Sequence, residues 1–285
     1  MALFNMKIDT KAKILMIISS LSFSIMVSFV KISSHTVAIK VLSRQMISLI
    51  FMFFFIIVYD IRVIPLKGNR IKLLLRCLFG SLGIYLYFYS IDNLLLADAS
   101  MLTRLSPFFV TLFAFLILKE SVNYINWLIF IPIIIGCILI IKPNTTLFNP
   151  ASIFAILSAI SGALAYTMIR SIGDDESTYT IIFWFSLVSS IIYFLIFGKG
   201  LMEVNSIEYF NLTMIGILGV IGQIGLTFAY QLSKASEIAP YSYFYILFSG
   251  FIGYQVWNEI PDFLSIVGYC LIIISYYFII RLNRV

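Results

Sequence analysis

The sequence predicts an all-α integral membrane protein, with ten transmembrane helices in two inverted five-helix repeats. Three observations lead there. The 285 residues are 61% hydrophobic and only 11% charged, with a mean hydropathy of +1.05, whereas a soluble domain carries about 25% charged residues. Apolar runs of spanning length recur ten times along the chain. Small, polar and charged residues also repeat at a constant offset of 139.

The runs fall at 14–32, 38–58, 72–91, 97–118, 123–141, 151–170, 179–197, 211–231, 237–257 and 263–280. Each is close to the ~20 residues that carry a helix across ~30 Å of hydrocarbon. The breaks hold turn formers: PLKGNR at 65–70, DN at 92–93, KPNTT at 142–146, GDDES at 173–177 and NEIPD at 258–262. No loop is long enough for a soluble domain, and residues 1–35 are expected to be a retained first span and not a cleaved leader. Cys77, Cys137 and Cys270 fall in three separate spans without metal spacing, which fits packing. His35 stands alone near a helix end.

At the offset of 139, Ser19 coincides with Ser158, Ser22 with Ser161, Gly80 with Gly219, Gly83 with Gly222, Phe109 with Phe248 and Glu120 with Glu259. Lys31 with Arg170 and Asp98 with Glu237 are chemically similar pairs on the same shift. The halves are 1–144 and 145–285. Five spans per half is an odd number, so the second copy enters the membrane from the opposite side. Charge agrees with this: residues 61–76 hold Arg62, Lys67, Arg70, Lys72 and Arg76, while the equivalent 200–215 holds no basic residue. With both termini cytoplasmic, the basic residues other than Arg104 divide thirteen inside against five outside. The net charge of +6 then reflects topology, and no nucleic-acid partner is implied.

Two inverted halves around a midplane site suit alternating access, so the expected function is secondary transport. The stretch ADASMLTRLSPFFVTLFAFLILKE at 97–120, followed by NWLIFIPIIIGCILI, has a degenerate second copy in ASEIAPYSYFYILFSGFIGYQVWNEI. These segments resemble the EamA-type branch of the drug/metabolite transporter superfamily, and the resemblance covers essentially the whole chain. It implies ten helices around a central cavity, with the fifth and tenth peripheral, and cargo among amino acids, nucleotide-like metabolites, sugars and drugs. One departure is visible: the proline usual in the second copy of SPFF is replaced by Ile246, with Pro240 six residues earlier.

The candidate substrate residues centre on Arg104, a charge inside a spanning run. Ser100, Arg104, Pro107 and Thr111 share one helical face, and a polar stripe of that kind should face a water-filled cavity and not lipid. The expectation is that Arg104, taken as the deepest charge, binds a carboxylate; the alternative is pairing with Asp98 or with carbonyls. Pro107 deprives one carbonyl of its helical partner. Further cavity candidates are Tyr85 and Tyr89 on helix three, Trp184 on helix seven, Gln223 and Tyr230 with Thr227 on helix eight, and Tyr241 and Tyr245 on helix nine. Packing or an interfacial belt is the competing reading of each aromatic residue. Gly80, Gly83, Gly219 and Gly222 are expected to let helices approach closely. Glu120 and Glu259 end their helices, where the dipole disfavours an anion, so each needs a donor and reads as a structural or gating lock. Arg44 either snorkels outward or faces the cavity mouth.

A membrane-embedded enzyme is the different-class alternative. It is disfavoured by a single His, no Cys–His pairing and no clustered carboxylates at depth. No ring of charges or filter sequence suggests a channel. The expectation is a carrier without cofactor or metal, monomeric or homodimeric, in the lipid bilayer of the inner or plasma membrane. Its small-molecule substrate is an amino acid or related carboxylate-bearing compound, with a nucleotide-like metabolite such as S-adenosylmethionine as the second reading.

Overall fold

The fold is taken from a computed structural model, which describes residues 8–103, 105–121, 124–142, 148–197, 206–238, 241–242 and 244–282. Twelve α-helices appear among them. They are α1 (Ile8–Ile32), α2 (Val37–Val58), α3 (Arg70–Asn93), α4 (Leu96–Thr103), α5 (Ser106–Leu118), α6 (Tyr124–Ile141), α7 (Ala151–Ile172), α8 (Thr178–Phe197), α9 (Ser206–Leu232), α10 (Ala235–Ile238), α11 (Phe244–Trp257) and α12 (Phe263–Leu282). Among the described residues, seven helical stretches are long and apolar enough to cross a membrane, and Trp127–Ile141, Phe244–Trp257 and Phe263–Ser275 are shorter apolar helices.

Two runs that read as continuous spans are interrupted. The run at 97–118 divides into α4 and α5: Leu105 N–H donates to the Leu102 carbonyl at 3.1 Å, and Pro107 sits in the first turn of α5, where its missing N–H costs no ladder bond. The run at 237–257 divides into α10 and α11. There the sequence places Pro240 two residues past Ile238. Ile246 packs on Ile272 and Phe130 in an apolar cluster.

Polarity is arranged inside out. On α2, Lys40, Arg44, Gln45 and Ser48 are buried, whereas Ile50, Phe53, Phe54 and Ile57 are each more than half exposed. Exposed apolar side chains on this scale mark a surface that meets lipid. Arg76, counted from the sequence in the basic cluster at 61–76, is thus an interior charge, as is Lys40: each is 2% exposed. Lys40 pairs with both oxygens of Asp92 at 2.7 and 2.8 Å.

The helices pack in reciprocal pairs, α1 along α9 and α3 along α7, with α2 against α8 and α6 against α12. Ser19 Oγ on α1 donates to the Gly222 carbonyl at 2.7 Å, and Ser158 Oγ on α7 donates to the Gly83 carbonyl at 2.8 Å. In membranes such interhelical bonds contribute about 0.6–1.7 kcal/mol each. Between α6 and α12 the backbones themselves touch. A Cβ added at Gly136 would lie 2.8 Å from the Gly268 carbonyl oxygen, so only glycine fits that crossing. The ends of α5 and α11 also match. Lys119 (φ 55) and Asn258 (φ 52) take the left-handed cap conformation. The next N–H in each case returns to a last-turn carbonyl, Glu120 to Ala114 at 3.1 Å and Glu259 to Gly253 at 3.3 Å.

Candidate functional site

The paired helices α3 and α7 leave a cavity of about 90 Å³, open to the centre of a water-sized sphere. That is room for a few waters. Its wall includes Arg76, Gly80, Gly83 and Tyr87 from α3, Thr103 and Ser106 at the α4–α5 break, Ser158, Gly162 and Tyr166 from α7, Phe185 from α8 and Gln223 from α9. The small residues make the space, and the polar side chains share the lining with Ile84, Ala159, Ala165 and Phe185.

Arg76 dominates this wall. It projects back over Gly80, one turn on, where any Cβ would overlap Arg76 Nη1 and come within 2.8 Å of Phe185 Cε2. The guanidinium carbon stands 4.0 Å from the Phe185 ring centroid, a cation–π contact of about 2 kcal/mol when desolvated. Its Nε has no hydrogen-bond partner, and no described carboxylate pairs with it. A bare charge at such depth costs several kcal/mol, and intramembrane ionisable residues of this kind mark substrate paths.

A second buried arginine lies one layer behind. Arg44 Nη1 donates to Gln45 Oε1 at 2.8 Å and Nη2 to Gln223 Oε1 at 3.4 Å, with Phe23 5.9 Å from the guanidinium carbon. Its Nε is unpartnered too. A Cβ at Gly219 would lie 2.8 Å from that Nε, so Gly219 gives Arg44 room as Gly80 gives room to Arg76. Arg44 neither snorkels outward nor lies at a mouth; it is 3% exposed in the interior.

The residues named from the sequence are distributed unevenly about this cavity. Of the substrate candidates, Gln223 stands on the wall, its Nε2 donating to Thr227 Oγ1 at 3.1 Å. Arg104 lies outside the described residues. Arg76, Arg44 and Lys40 are buried charges elsewhere in the bundle. Ser100 is fully buried with its Oγ unpartnered, Pro107 is buried, and Thr111 Oγ1 returns to the Pro107 carbonyl at 2.9 Å. It is their neighbours Thr103 and Ser106 that reach the wall. On α3 the cavity takes Tyr87, while Tyr85 stacks on Tyr193 at 5.9 Å and Tyr89 meets Phe154 at 4.8 Å. Tyr245 hydroxyl meets Tyr87 hydroxyl, which joins α11 to the wall. Tyr230 stacks on the wall residue Tyr166 at 5.0 Å, and Tyr241 carries Lys13 Nζ 5.6 Å above its ring. Trp184 belongs elsewhere, its Nε1 donating to the Val63 carbonyl at 2.8 Å beside a separate apolar cavity.

Gly83 meets α7, with a Cβ there 3.3 Å from Gly162 N, while Gly222 accommodates Phe23 at 2.7 Å. Glu259 receives Lys31 Nζ and, at 2.7 Å, the Leu96 N–H. Glu120 receives Arg170 Nε at 3.4 Å and leaves Oε2 without a partner. Asp98 accepts from Tyr269 hydroxyl at 2.7 Å. Sequence reasoning missed Arg76, Tyr87, Tyr166 and Phe185. The available signal was Arg76 four residues before Gly80, the arginine-over-glycine spacing on a helix.

A profile of the EamA-like transporter family matches this chain twice, over residues 10–142 and 149–281. The chain belongs to the EamA-like transporter family. Among its relatives is the pseudopaline exporter CntI of Pseudomonas aeruginosa, 31% identical over 267 residues, covering 92% of this chain and 93% of that protein. The S-adenosylmethionine uptake transporter of Rickettsia prowazekii is 27% identical over 209 residues, 72% of this chain and 70% of that protein. A solved crystal structure shares the fold with a TM-score of 0.70 at 14% identity, over 95% of this chain and 98% of the other. This EamA-like protein is therefore a membrane transporter, in a family of small-metabolite carriers and not of enzymes.

Proposed function

We propose that the chain is a secondary transporter that moves a small carboxylate-bearing metabolite, an amino acid or related compound, across the inner or plasma membrane by alternating access. The observation that carries this reading is Arg76, buried on the cavity wall with no described carboxylate partner. A carboxylate entering the cavity would neutralise it and accept the planar pair of N–H donors that only a guanidinium offers. Neutralisation also lowers the cost of closing a dry cavity over the charge, which couples binding to closure. Arg104 enters the proposal on its sequence position alone.

In this reading 1–144 and 145–285 are inverted repeats, with α4–α5 and α10–α11 as fourth and ninth spans. The reciprocal Ser19–Gly222 and Ser158–Gly83 bonds support it, as do the Lys31–Glu259 and Arg170–Glu120 pairs, since every partner is displaced by 139. Both termini are proposed to be cytoplasmic. Without the interior Arg76, Lys40 and Arg44, the basic residues still divide twelve against three. Uptake or exchange of S-adenosylmethionine is the second reading. It is favoured by the name of the rickettsial relatives and by the Tyr166–Tyr230 stack beside the cavity.

The test is transport into proteoliposomes. Labelled amino acids and S-adenosylmethionine should include one solute whose uptake saturates and shows counterflow. Non-saturating flux would point to a channel, and no flux of any carboxylate-bearing solute would contradict the proposal.

A further inference from the structure

The cavity region holds two buried guanidiniums and, among the described residues, no carboxylate paired with either. Arg76 is on the wall; Arg44 is behind it, reached through Gln223. Among the described residues, Lys40 holds Asp92 and Lys31 holds Glu259. Arg44 has only neutral contacts, the amide oxygens of Gln45 and Gln223 and the ring of Phe23. Two like charges this deep raise each other's cost, so one carboxylate on the substrate leaves one charge uncompensated.

We propose that the substrate carries two negative charges, one met by Arg76 and the second by Arg44. Gln223 is the movable element between them. Its Oε1 is held by Arg44 at 3.4 Å, a long bond, and its Nε2 by Thr227. A substrate oxygen that replaces Gln223 Oε1 on Arg44 gains a charge-assisted bond in place of a neutral one. The glycines fit the same reading. Gly80 and Gly219 each leave the space in which one arginine lies folded against its own bundle wall. The recognised chemistry is a small dianion, either two carboxylates, as in an acidic amino acid or a dicarboxylate, or one phosphoryl group. This inference rests on the proposed carboxylate-binding role of the cavity and narrows it.

The experiment measures binding by purified full-length protein with succinate, monomethyl succinate and inorganic phosphate as probes. The wild type should bind at least one dianion at least tenfold more tightly than monomethyl succinate. Succinate or phosphate as the tighter of the two identifies the form of the dianion. Arg44→Gln should bring the dianion within about twofold of the monoester. Arg76→Gln should weaken all three. Arg44→Lys, which keeps the charge, should recover part of the preference; it also serves if the glutamine variant fails to fold. A preference unchanged in Arg44→Gln, or no preference in the wild type, overturns the dianion inference and leaves the single-carboxylate reading standing. Unchanged binding of every probe in Arg76→Gln overturns both.

Discussion

Lys31 and Glu259 form an ion pair at one end of the bundle that is the counterpart, 139 residues displaced, of Arg170 and Glu120 at the other. The two pairs are unequal. Glu259 is 9% exposed and also holds the Leu96 N–H, and Lys31 lies 5.5 Å from the Trp257 ring centroid. Arg170 reaches Glu120 at 3.4 Å, and the partners are 27% and 20% exposed. The structure is fastened more firmly at the Lys31 end.

Glu259→Gln should therefore cost about 1–3 kcal/mol of thermal stability, since it removes the charge opposite a largely buried ammonium. Glu120→Gln should cost under about 1 kcal/mol, in the range of exposed pairs. Unfolding midpoints of the two variants in one detergent compare them directly. Equal losses would show that the asymmetry between the ends carries no energy.

Gly80→Ala probes the arginine pocket without touching the arginine. The new methyl overlaps Arg76 Nη1 and crowds Phe185, so the guanidinium must shift. Overpacking of this kind costs about 1–3 kcal/mol of stability. Anion affinity should fall at least tenfold, about 1.4 kcal/mol. Unchanged affinity in a variant with lowered stability would place the binding site elsewhere.

The helical runs were legible because length and hydropathy alone determine a span. The 139-residue offset was legible because serine, glycine and charge mark it where Leu and Ile blur it; which of those residues touch was not. The site was legible only in part. Arg104 drew attention because it interrupts an apolar run, whereas Arg76 sits close behind Arg70 and Lys72 and reads as one more loop charge. Its burial follows from Gly80 and from Phe185 on α8, a partner more than a hundred residues away in sequence. Tyr85 and Tyr89 share a helical face, yet the α3–α7 crossing turns Tyr87 to the cavity. Periodicity identifies which residues share a face; the neighbour each face meets is set by tertiary packing.

Orientation is tested by cysteine labelling in a Cys270→Ser background. Asn93, exposed at the C-terminal end of α3, should react as cysteine with an impermeant thiol reagent added outside intact cells. Gly68, exposed and with open space around its Cα, should not. Gly68 serves better than its neighbour Asn69, which is 4% exposed and bonded to Asp175 and Glu176. The reverse pattern would invert the proposed topology.

The most direct test of why Arg76 is buried needs no knowledge of the substrate: thermal unfolding of ligand-free Arg76→Met beside the wild type. If the charge is held for an anionic substrate, it is uncompensated in the empty protein. A neutral side chain of similar volume should then raise stability, by about 1–4 kcal/mol. If Arg76 instead holds the bundle together, the methionine variant should unfold at a lower temperature than the wild type, and that result would contradict the account.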